Sequence, residues 1–319
     1  MKTFLGIDIG SLSAKMALLD EDKNILSRVY LPTQGDPVTA LQRGLEQLEQ
    51  RMPEDVEIRG AAATGSARYL AGAIAGADII KNEITSQAVA ALYFMPDVRT
   101  VIEIGGQDSK IIIIRDGVVV DFGMNTVCAA GTGSFLDHQS QRLNLSIEQF
   151  SQMAAESDAP VDISGKCTVF AESDMIHKQQ TGHSIEDIAY GLCRTLVRNY
   201  LINVGLARDI DSPIVFQGGV AFNKGIVRAF REELESDIIV PEHHEITGAI
   251  GAALLAGEEM KSEASRFKGF GICRQQYTTS SFECQECHQL CRIAQLQLDG
   301  ETVYSWGGRC DLFQHAIRT

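Results

Sequence analysis

The pentapeptide GIDIG at residues 6–10 and the hexapeptide VIEIGG at residues 101–106 determine the predicted fold. In each, an acid lies two residues before the first turn glycine, and a polar turn leads into a second apolar run, at residues 14–19 or 111–114. β-Branched runs bounded by glycine indicate strand, turn and strand. Because this unit occurs twice, the sequence predicts a duplicated fold with two related lobes.

Further strands and helices are predicted around the two repeats. Strands are expected at residues 25–31, 118–122 and 214–216, and apolar residues at helical spacing predict helices over 37–51, 84–94, 130–143, 184–208 and 223–234. The small-residue segment 247–257 is predicted to be a helix that packs very closely. The expected class is α/β, with lobe I over residues 1–96, closed by helix 247–257, and lobe II over residues 97–246.

The C-terminal part of the sequence differs in composition. Residues 258–319 are predicted to form a linker and a small module, which holds five of the eight cysteines and the only tryptophan, Trp306. Such a module has little hydrophobic core of its own, and we expect a metal to tie it together. The expected ligands are Cys284, Cys287, Cys291 and Cys310. Four cysteines can bind Zn2+ or a second iron–sulfur cluster, and the spacing leaves both open.

Charge and composition narrow the possible partners and compartment. The chain has 319 residues and a formal net charge of -14, so its surface repels phosphate backbones and anionic lipid. We therefore expect neither nucleic acid nor a membrane as a partner. No signal peptide is visible and no apolar run reaches transmembrane length, so we expect a cytoplasmic protein. Cysteines there are expected to be metal ligands or free thiols rather than disulfides.

Three glycine turns predict a nucleotide site. The third, QGGV at residues 217–220, follows a predicted strand and precedes a predicted helix. Glycine lets backbone N–H groups approach phosphate oxygens, and acids beside the turns can hold Mg2+ through water. The sequence has no P-loop motif, so the site is not of the P-loop type.

The predicted roles are divided among the three turns. Contacts to the phosphates are expected from Gly10, Ser11, Ser13, Lys15, Gly105 and Gly106. Asp8 and Glu103 are expected to bind hydrated Mg2+, and Gln107 or Asp108 is expected to position the attacking water. The adenosine of ATP or ADP is expected to be supported by Gly218, Gly219 and Asn223.

Two cysteines each precede a predicted helix. Cys128 lies in NTVCAAGTGSFLD, residues 125–137, and Cys167 lies in GKCTVFAES, residues 165–173. The helix dipole and free N–H groups there would stabilise a thiolate and a bound anionic cluster. Two thiols cannot complete a [4Fe–4S] site, but two chains related by a twofold axis can. From the spacing alone, buried structural thiols or a reactive nucleophile remain open, whereas Cys193 is interpreted as a core residue.

These motifs together resemble a known family. The residues around Asp8, the turn GGQD at 105–108, and the segments CAAGTG, CTVFAES and GGVAFN closely resemble the activators of 2-hydroxyacyl-CoA dehydratases. Those activators belong with the ATPase subunits of benzoyl-CoA reductase in the superfamily of acetate and sugar kinases, heat-shock chaperones and actin. The resemblance covers residues 3–257 and implies a two-lobed actin-like ATPase with ribonuclease H-like lobes. Glu103 departs from the pattern, which commonly has aspartate at this position.

The resemblance also implies a function. It implies a homodimer in which Cys128 and Cys167 of both chains hold one bridging [4Fe–4S] cluster. ATP hydrolysis would drive a low-potential electron from ferredoxin or flavodoxin to an iron–sulfur partner enzyme. That partner would be similar to a 2-hydroxyacyl-CoA dehydratase or would carry a double-cubane cluster. The tail resembles the segment after the activator-like part of larger activase-like proteins.

Two other functions fit the same expected fold. A small-molecule kinase would use the same nucleotide residues, with an acid as base for a substrate hydroxyl, but it leaves both cysteine motifs unexplained. A nucleotide-switched scaffold without catalytic activity would use the tail for docking. The fold alone does not separate these alternatives.

Overall fold

The computed structural model describes residues 1–125, 129–165, 167–260 and 264–313, and the chain divides into two compact units. Unit 1 comprises Met1–Ser86 together with Gly248–Thr319, and unit 2 comprises Gln87–Thr247. The first boundary lies ahead of the expected boundary at residue 96. The reason is that the Gln87 side chain is hydrogen-bonded to Gln217 and Thr247 of unit 2.

Unit 1 contains a mixed five-stranded sheet with the order β3-β2-β1-β4-β5. Its strands are β1 (Lys2–Ile9), β2 (Ser13–Asp20), β3 (Ile25–Pro32), β4 (Glu57–Thr64) and β5 (Ile79–Ile80). The first three strands are antiparallel, whereas β4 runs parallel to β1. The helices of this part of the chain are α1 (Pro37–Arg51), α2 (Arg68–Ala75) and α3 (Glu83–Phe94).

Unit 2 contains a second mixed sheet with the order β10-β9-β6-β7-β8. Its strands are β6 (Thr100–Ile104), β7 (Ser109–Arg115), β8 (Val118–Asn125), β9 (Ile214–Gln217) and β10 (Ile238–Ile239). Its further helices are α4 (Gly133–Arg142), α5 (Ile147–Glu156), α6 (Thr168–Gln180), α7 (Ile185–Tyr200) and α8 (Lys224–Leu234). Again three antiparallel strands come first and parallel strands follow. The prediction of a duplicated α/β fold is confirmed.

The predicted helices differ from the observed ones mainly at their ends. Helix α1 has the predicted bounds, because Asp36 caps its first turn and Leu41, Leu45 and Leu48 bury one face. The predicted helix 184–208 ends as an α-helix at Tyr200, and a π-helical turn, Leu201–Gly205, follows. The guanidinium of Arg208 binds the carbonyls of Val204 and Phe122, which holds this segment against β8.

The end of the chain completes unit 1. Helix α9 (Thr247–Glu259) packs closely on β1, since a Cβ at Gly6 would lie 1.8 Å from the carbonyl oxygen of Ala249. The predicted close packing of this helix is thus confirmed. A small antiparallel sheet follows, with the order β11-β12-β13 and the strands β11 (Tyr277–Glu283), β12 (Arg292–Leu298) and β13 (Glu301–Trp306).

The tail sheet packs with the rest of unit 1. Ile272 and Leu296 are buried in one hydrophobic cluster with Leu41 and Leu45 of α1. The side-chain amide of Gln42 donates to the carbonyl of Ile272 at 3.0 Å. Among the described residues, no helix is long and apolar enough to cross a membrane.

Candidate functional site

The first turn of unit 1 places an acid and a lysine beside an accessible backbone. Asp8 near the end of β1 lies opposite Lys15 on β2, and the lysine Nζ is 3.3 Å from the carboxylate Oδ2. The N–H of Gly10 donates to the carbonyl of Ser13 at 2.9 Å, which closes the turn. Ser11 is exposed at the tip of the turn. The turn therefore offers exposed polar groups beside a buried carboxylate.

The second turn, in unit 2, repeats this arrangement. Glu103 on β6 lies opposite Lys110 on β7, and the lysine Nζ is 2.9 Å from the carboxylate Oε2. The N–H of Gly105 donates to the carbonyl of Asp108 at 3.0 Å. In both copies the lysine follows the acid by seven residues. Lys110 was not predicted from the sequence, although its spacing from Glu103, which repeats that of Lys15 from Asp8, was a visible signal.

The two lysines differ in what they can reach. The side chain of Lys110 is only 2% exposed, and its Nζ also lies 2.9 Å from the Asp108 carboxylate, so it neutralises two acids inside unit 2. The Lys15 side chain is 19% exposed, which leaves its ammonium able to approach an anion at the turn. Gln107, at the tip of the second turn, is exposed and can contact solvent or a ligand.

A further pair of glycines supports the two acids. Gly65 follows β4 with φ +90°, and a Cβ there would lie 2.5 Å from Oδ1 of Asp8. Gly218 follows β9 with φ +96°, and a Cβ there would lie 3.0 Å from Oε1 of Glu103. Both backbones need glycine, because of the left-handed conformation and the close approach. The sequence prediction included Gly218 but missed Gly65, whose signal was the segment TGS after an apolar run.

The residues predicted to support adenosine lie around Gly218. The N–H of Gly218 donates to the carbonyl of His244 at 2.8 Å, and Gly219 begins a short 3-10 turn. Asn223 is fully buried and caps α8, because its Oδ1 accepts from the N–H of Ile226 at 3.1 Å. Adenosine contacts by Gly218, Gly219 and Asn223 stay predictions.

Of the two predicted cluster cysteines, Cys128 lies outside the described residues. Cys167 is the N-cap of α6 and has an extended backbone, and its side chain makes no capping hydrogen bond. The thiol is partly exposed. A thiol at the start of a helix can serve as a metal ligand. Cys193, in contrast, is fully buried within α7, which confirms its interpretation as a core residue.

The start of α4 is bonded to the second turn. The N–H groups of Gly133 and Ser134 donate to the carbonyls of Gly105 and Gly106 at 2.9 and 2.8 Å. The expectation of free N–H groups at the start of the helix after Cys128 is therefore wrong for these two groups, because the turn carbonyls accept them. The helix also begins at Gly133 rather than at residue 130, since residues Ala129–Gly131 form a 3-10 turn.

The four predicted tail ligands lie at one end of the tail sheet. Cys284 follows β11 and Cys291 precedes β12, and the N–H of Cys284 donates to the carbonyl of Cys291 at 2.8 Å. Cys287 is in the same loop, and Cys310 follows β13. Within the described part of the chain, no three His, Cys, Asp or Glu side chains are arranged to hold a metal. A tail metal thus stays a prediction.

Comparison with known proteins relates most of the chain to one family. Residues 5–256 match the BadF/BadG/BcrA/BcrD ATPase family, so the tail sheet lies beyond the match. The 2-hydroxyisocaproyl-CoA dehydratase activator of Clostridioides difficile is 34% identical over 271 residues, which are 83% of this chain and 98% of the relative. The (R)-2-hydroxyglutaryl-CoA dehydratase activating ATPase of Acidaminococcus fermentans is 35% identical over 256 residues, 79% of this chain and 96% of the relative.

A solved structure shows the same likeness. The activator of the 2-hydroxyisocaproyl-CoA dehydratase from Clostridium difficile, with bound ADPNP, has a TM-score of 0.75 and 34% sequence identity. The alignment covers 81% of this chain and 96% of that chain. The two sheets of this protein are therefore those of actin-like ATPase lobes.

Proposed function

The chain belongs to the BadF/BadG/BcrA/BcrD ATPase family, and on this basis we propose that it is an ATP-hydrolysing iron–sulfur activator. In this proposal it accepts a low-potential electron from ferredoxin or flavodoxin. It then transfers this electron to an iron–sulfur partner enzyme, similar to a 2-hydroxyacyl-CoA dehydratase or carrying a double-cubane cluster. The activators and the activating ATPase to which it is similar support an enzyme partner.

The nucleotide is bound by the repeated turns. Gly10, Ser11 and Ser13 contact the phosphates through the first turn, and the partly exposed ammonium of Lys15 adds a positive charge there. Gly105 and Gly106 contact the phosphates through the second turn. The bound ADPNP in the related activator supports a nucleotide in this family.

The acids beside the turns serve Mg2+ and water. Asp8 and Glu103 orient hydrated Mg2+, and each is held by a lysine on the neighbouring strand. Gln107 positions the attacking water, because it is exposed at the turn tip, whereas Asp108 is engaged by Lys110. Glutamate at position 103 reaches further than the aspartate common in the family.

Two subunits supply the cluster ligands. Cys128 and Cys167 of each subunit hold one [4Fe–4S] cluster on the twofold axis of a homodimer. Such a cluster supplies one-electron transfer at low potential. The position of Cys167 at the start of α6 fits this role, since its thiol is partly exposed and is not used as a cap.

The main structural support for the proposal is the pair of hydrogen bonds between the second turn and the start of α4. Gly133 and Ser134 begin the helix that follows Cys128, and both donate to the carbonyls of Gly105 and Gly106. A change of nucleotide at this turn therefore acts directly on a helix next to a predicted cluster ligand.

Anaerobic purification of the variants Cys128→Ala and Cys167→Ala tests the proposal. The wild-type protein should be a brown dimer in which the bridging cluster contributes about four iron atoms per dimer. Each variant should lose the iron of the bridging cluster and the colour that this iron gives, and should still bind ADPNP, because the phosphate turns remain intact. Cys273→Ala is the matched control and should keep the iron, since this partly buried tail thiol has no predicted ligand role.

Other outcomes would point to the alternative functions. A kinase would phosphorylate a metabolite equally well in the wild type and in both variants. A scaffold would bind ADPNP without measurable turnover or redox activity. A colourless monomer with no iron in the wild type would overturn the proposal.

A further inference from the structure

Helix α4 is attached to the second phosphate turn at its first residues. Besides its backbone N–H, the hydroxyl of Ser134 donates to the carbonyl of Gly106. A Cβ at Gly133 would lie only 3.0 Å from the carbonyl oxygen of Gly105, so the helix and the turn are in close contact. Because close-packed groups joined by several hydrogen bonds move together, displacement of the turn displaces the start of α4.

The other end of α4 is attached to α6. Arg142, the last residue of α4, places its guanidinium 2.7 Å from Oε1 of Glu172, which lies in α6. Nδ1 of His138, one turn earlier in α4, is 3.7 Å from the second carboxylate oxygen. The Glu172 side chain is 19% exposed and the Arg142 side chain is 56% exposed, so the pair is buried on its carboxylate side only. Helix α6 begins directly after Cys167.

The first copy of the repeat has a different arrangement. The carbonyl of Gly10 in unit 1 accepts from the hydroxyl of Thr33, which precedes α1. Helix α1 itself is capped by its own Asp36, which accepts from the N–H of Thr39. The duplicated fold therefore does not require its phosphate turn to bind the helix that follows. The hydrogen bonds between the turn and the following helix occur in unit 2, the copy that contains both predicted cluster cysteines.

We propose that Ser134 and Glu172 are positioning residues that transmit a nucleotide-dependent shift of the Gly105–Gly106 turn to α4 and from there to α6. Ser134 joins the turn to α4, and Glu172 joins α4 to the helix that begins after Cys167. The inference rests on the proposed function, because α4 and α6 are the two helices that follow the predicted cluster ligands. The mechanical link itself exists whether or not a cluster is bound.

Hydrogen–deuterium exchange on the full-length, anaerobically purified protein measures this link. Exchange is compared with and without ADPNP and Mg2+ in peptides that cover α4 and α6. In the wild type, ADPNP should slow or speed exchange in both helices. In Glu172→Gln the response of α4 should persist, whereas the response of α6 should fall several-fold, because the neutral amide no longer binds the Arg142 guanidinium strongly.

The matched control is Glu233→Gln. Glu233 accepts from Arg198 at 2.8 Å and its side chain is 26% exposed, so this Arg–Glu pair has similar geometry and burial. It joins α7 to α8 instead of α4 to α6. The control variant should keep the wild-type response in α6. In the double variant Arg142→Gln with Glu172→Gln, the response of α6 should fall no further than in Glu172→Gln alone. The reason is that both substitutions remove the same ion pair.

The outcomes separate this inference from the proposed function. Full retention of the α6 response in Glu172→Gln would overturn the role of Glu172. An equal loss in Glu233→Gln would also overturn it, since the effect would then be a general loss of rigidity. Ser134→Ala should reduce the responses of both helices, and an unchanged response would overturn the role of Ser134. Failure of the proposed function alone would show as absence of iron, with the link between the helices still measurable.

Discussion

Glu103 and Lys110 form an ion pair inside unit 2, with side chains only 7% and 2% exposed and 2.9 Å between the charged atoms. Asp8 and Lys15 form the same pair in unit 1 at 3.3 Å, with the lysine side chain 19% exposed. An acid that is to orient Mg2+ must stay charged in a buried position, and a lysine on the next strand compensates that charge. The repeated pair therefore allows each copy of the fold to hold an acid beside its glycine turn.

Replacement of Lys110 should destabilise the protein more than replacement of Lys15. Lys110→Met leaves the carboxylates of Glu103 and Asp108 without their partner, so the free energy of unfolding should fall by about 3 kcal/mol. Lys15→Met should lower it by about 1 kcal/mol, because its ammonium is better solvated. Urea unfolding without nucleotide measures both. Equal losses would show that burial does not distinguish the two pairs.

Gly65→Ala should impair the first turn. The added Cβ would collide with Asp8, and the left-handed backbone would be strained by about 1 kcal/mol. We expect the affinity for ADPNP to fall at least roughly tenfold, a loss of about 1.4 kcal/mol. Calorimetric titration measures the affinity.

Gly35→Ala is the control for this strain. Gly35 has φ +77° in the same unit, and a Cβ there would meet no atom within 4 Å. This variant should lose similar stability from the backbone but bind ADPNP as the wild type does. Equal losses of affinity in both variants would show that the contact with Asp8 has no special effect.

Cys193 should be inert in the folded protein. Burial raises the pKa of its thiol above the usual value, so it stays protonated while folded. In cluster-free protein, iodoacetamide should modify Cys167 and leave Cys193 unmodified until the chain unfolds, as measured by mass spectrometry of peptides. Modification of Cys193 in the folded state would contradict its burial.

The same raised pKa predicts how stability depends on pH. In the unfolded chain the Cys193 thiol ionises at about pH 8.5, whereas in the folded protein it stays protonated at that pH. The contribution of Cys193 to the free energy of unfolding is therefore complete below that pH and declines above it. The stability advantage of the wild type over Cys193→Ala should therefore shrink as the pH rises through the alkaline range. Urea unfolding at neutral and alkaline pH measures this change. A constant advantage would show that the thiol has an ordinary pKa.

Leu296→Ala should destabilise the whole of unit 1. Leu296 is fully buried in the cluster that the tail sheet shares with α1, and removal of such a side chain lowers the free energy of unfolding by about 3 kcal/mol. Thermal unfolding should show a lower midpoint for this variant. Val303→Ala, at an exposed position of the same sheet, should change it little. A tail that melts separately, with the rest of unit 1 unaffected, would contradict the shared core.

A tail metal should be separable from the bridging cluster. Cys287 is exposed, so Cys287→Ser should disturb folding little while it removes one predicted ligand. We expect anaerobic iron and zinc analysis to show the loss of the tail metal alone, with the iron held by Cys128 and Cys167 retained. A wild-type protein with no metal beyond that iron would refute the tail site.

Much of the architecture could be read from local sequence patterns. Apolar runs, glycine turns and helical spacing are properties of neighbouring residues, and they predicted the duplicated sheets, α1 and the closing helix α9. Helix α2 was missed because its small apolar residues, buried almost throughout, show no polar face. Helix α5 was missed although Ser146 and Gln149 form a capping box at its start, a signal present in the sequence.

The sequence by itself determined the strand–turn–strand unit of each repeat, the acids Asp8 and Glu103 beside their turns, and the cysteine motifs that indicate the family. Only the tertiary structure decided that Gly65 lies behind Asp8, that Lys110 neutralises two acids, and that α4 begins on the second turn and is joined to α6 at its other end. These contacts connect residues far apart in the chain. They depend on strand register and on where helices end, and no local pattern specifies either.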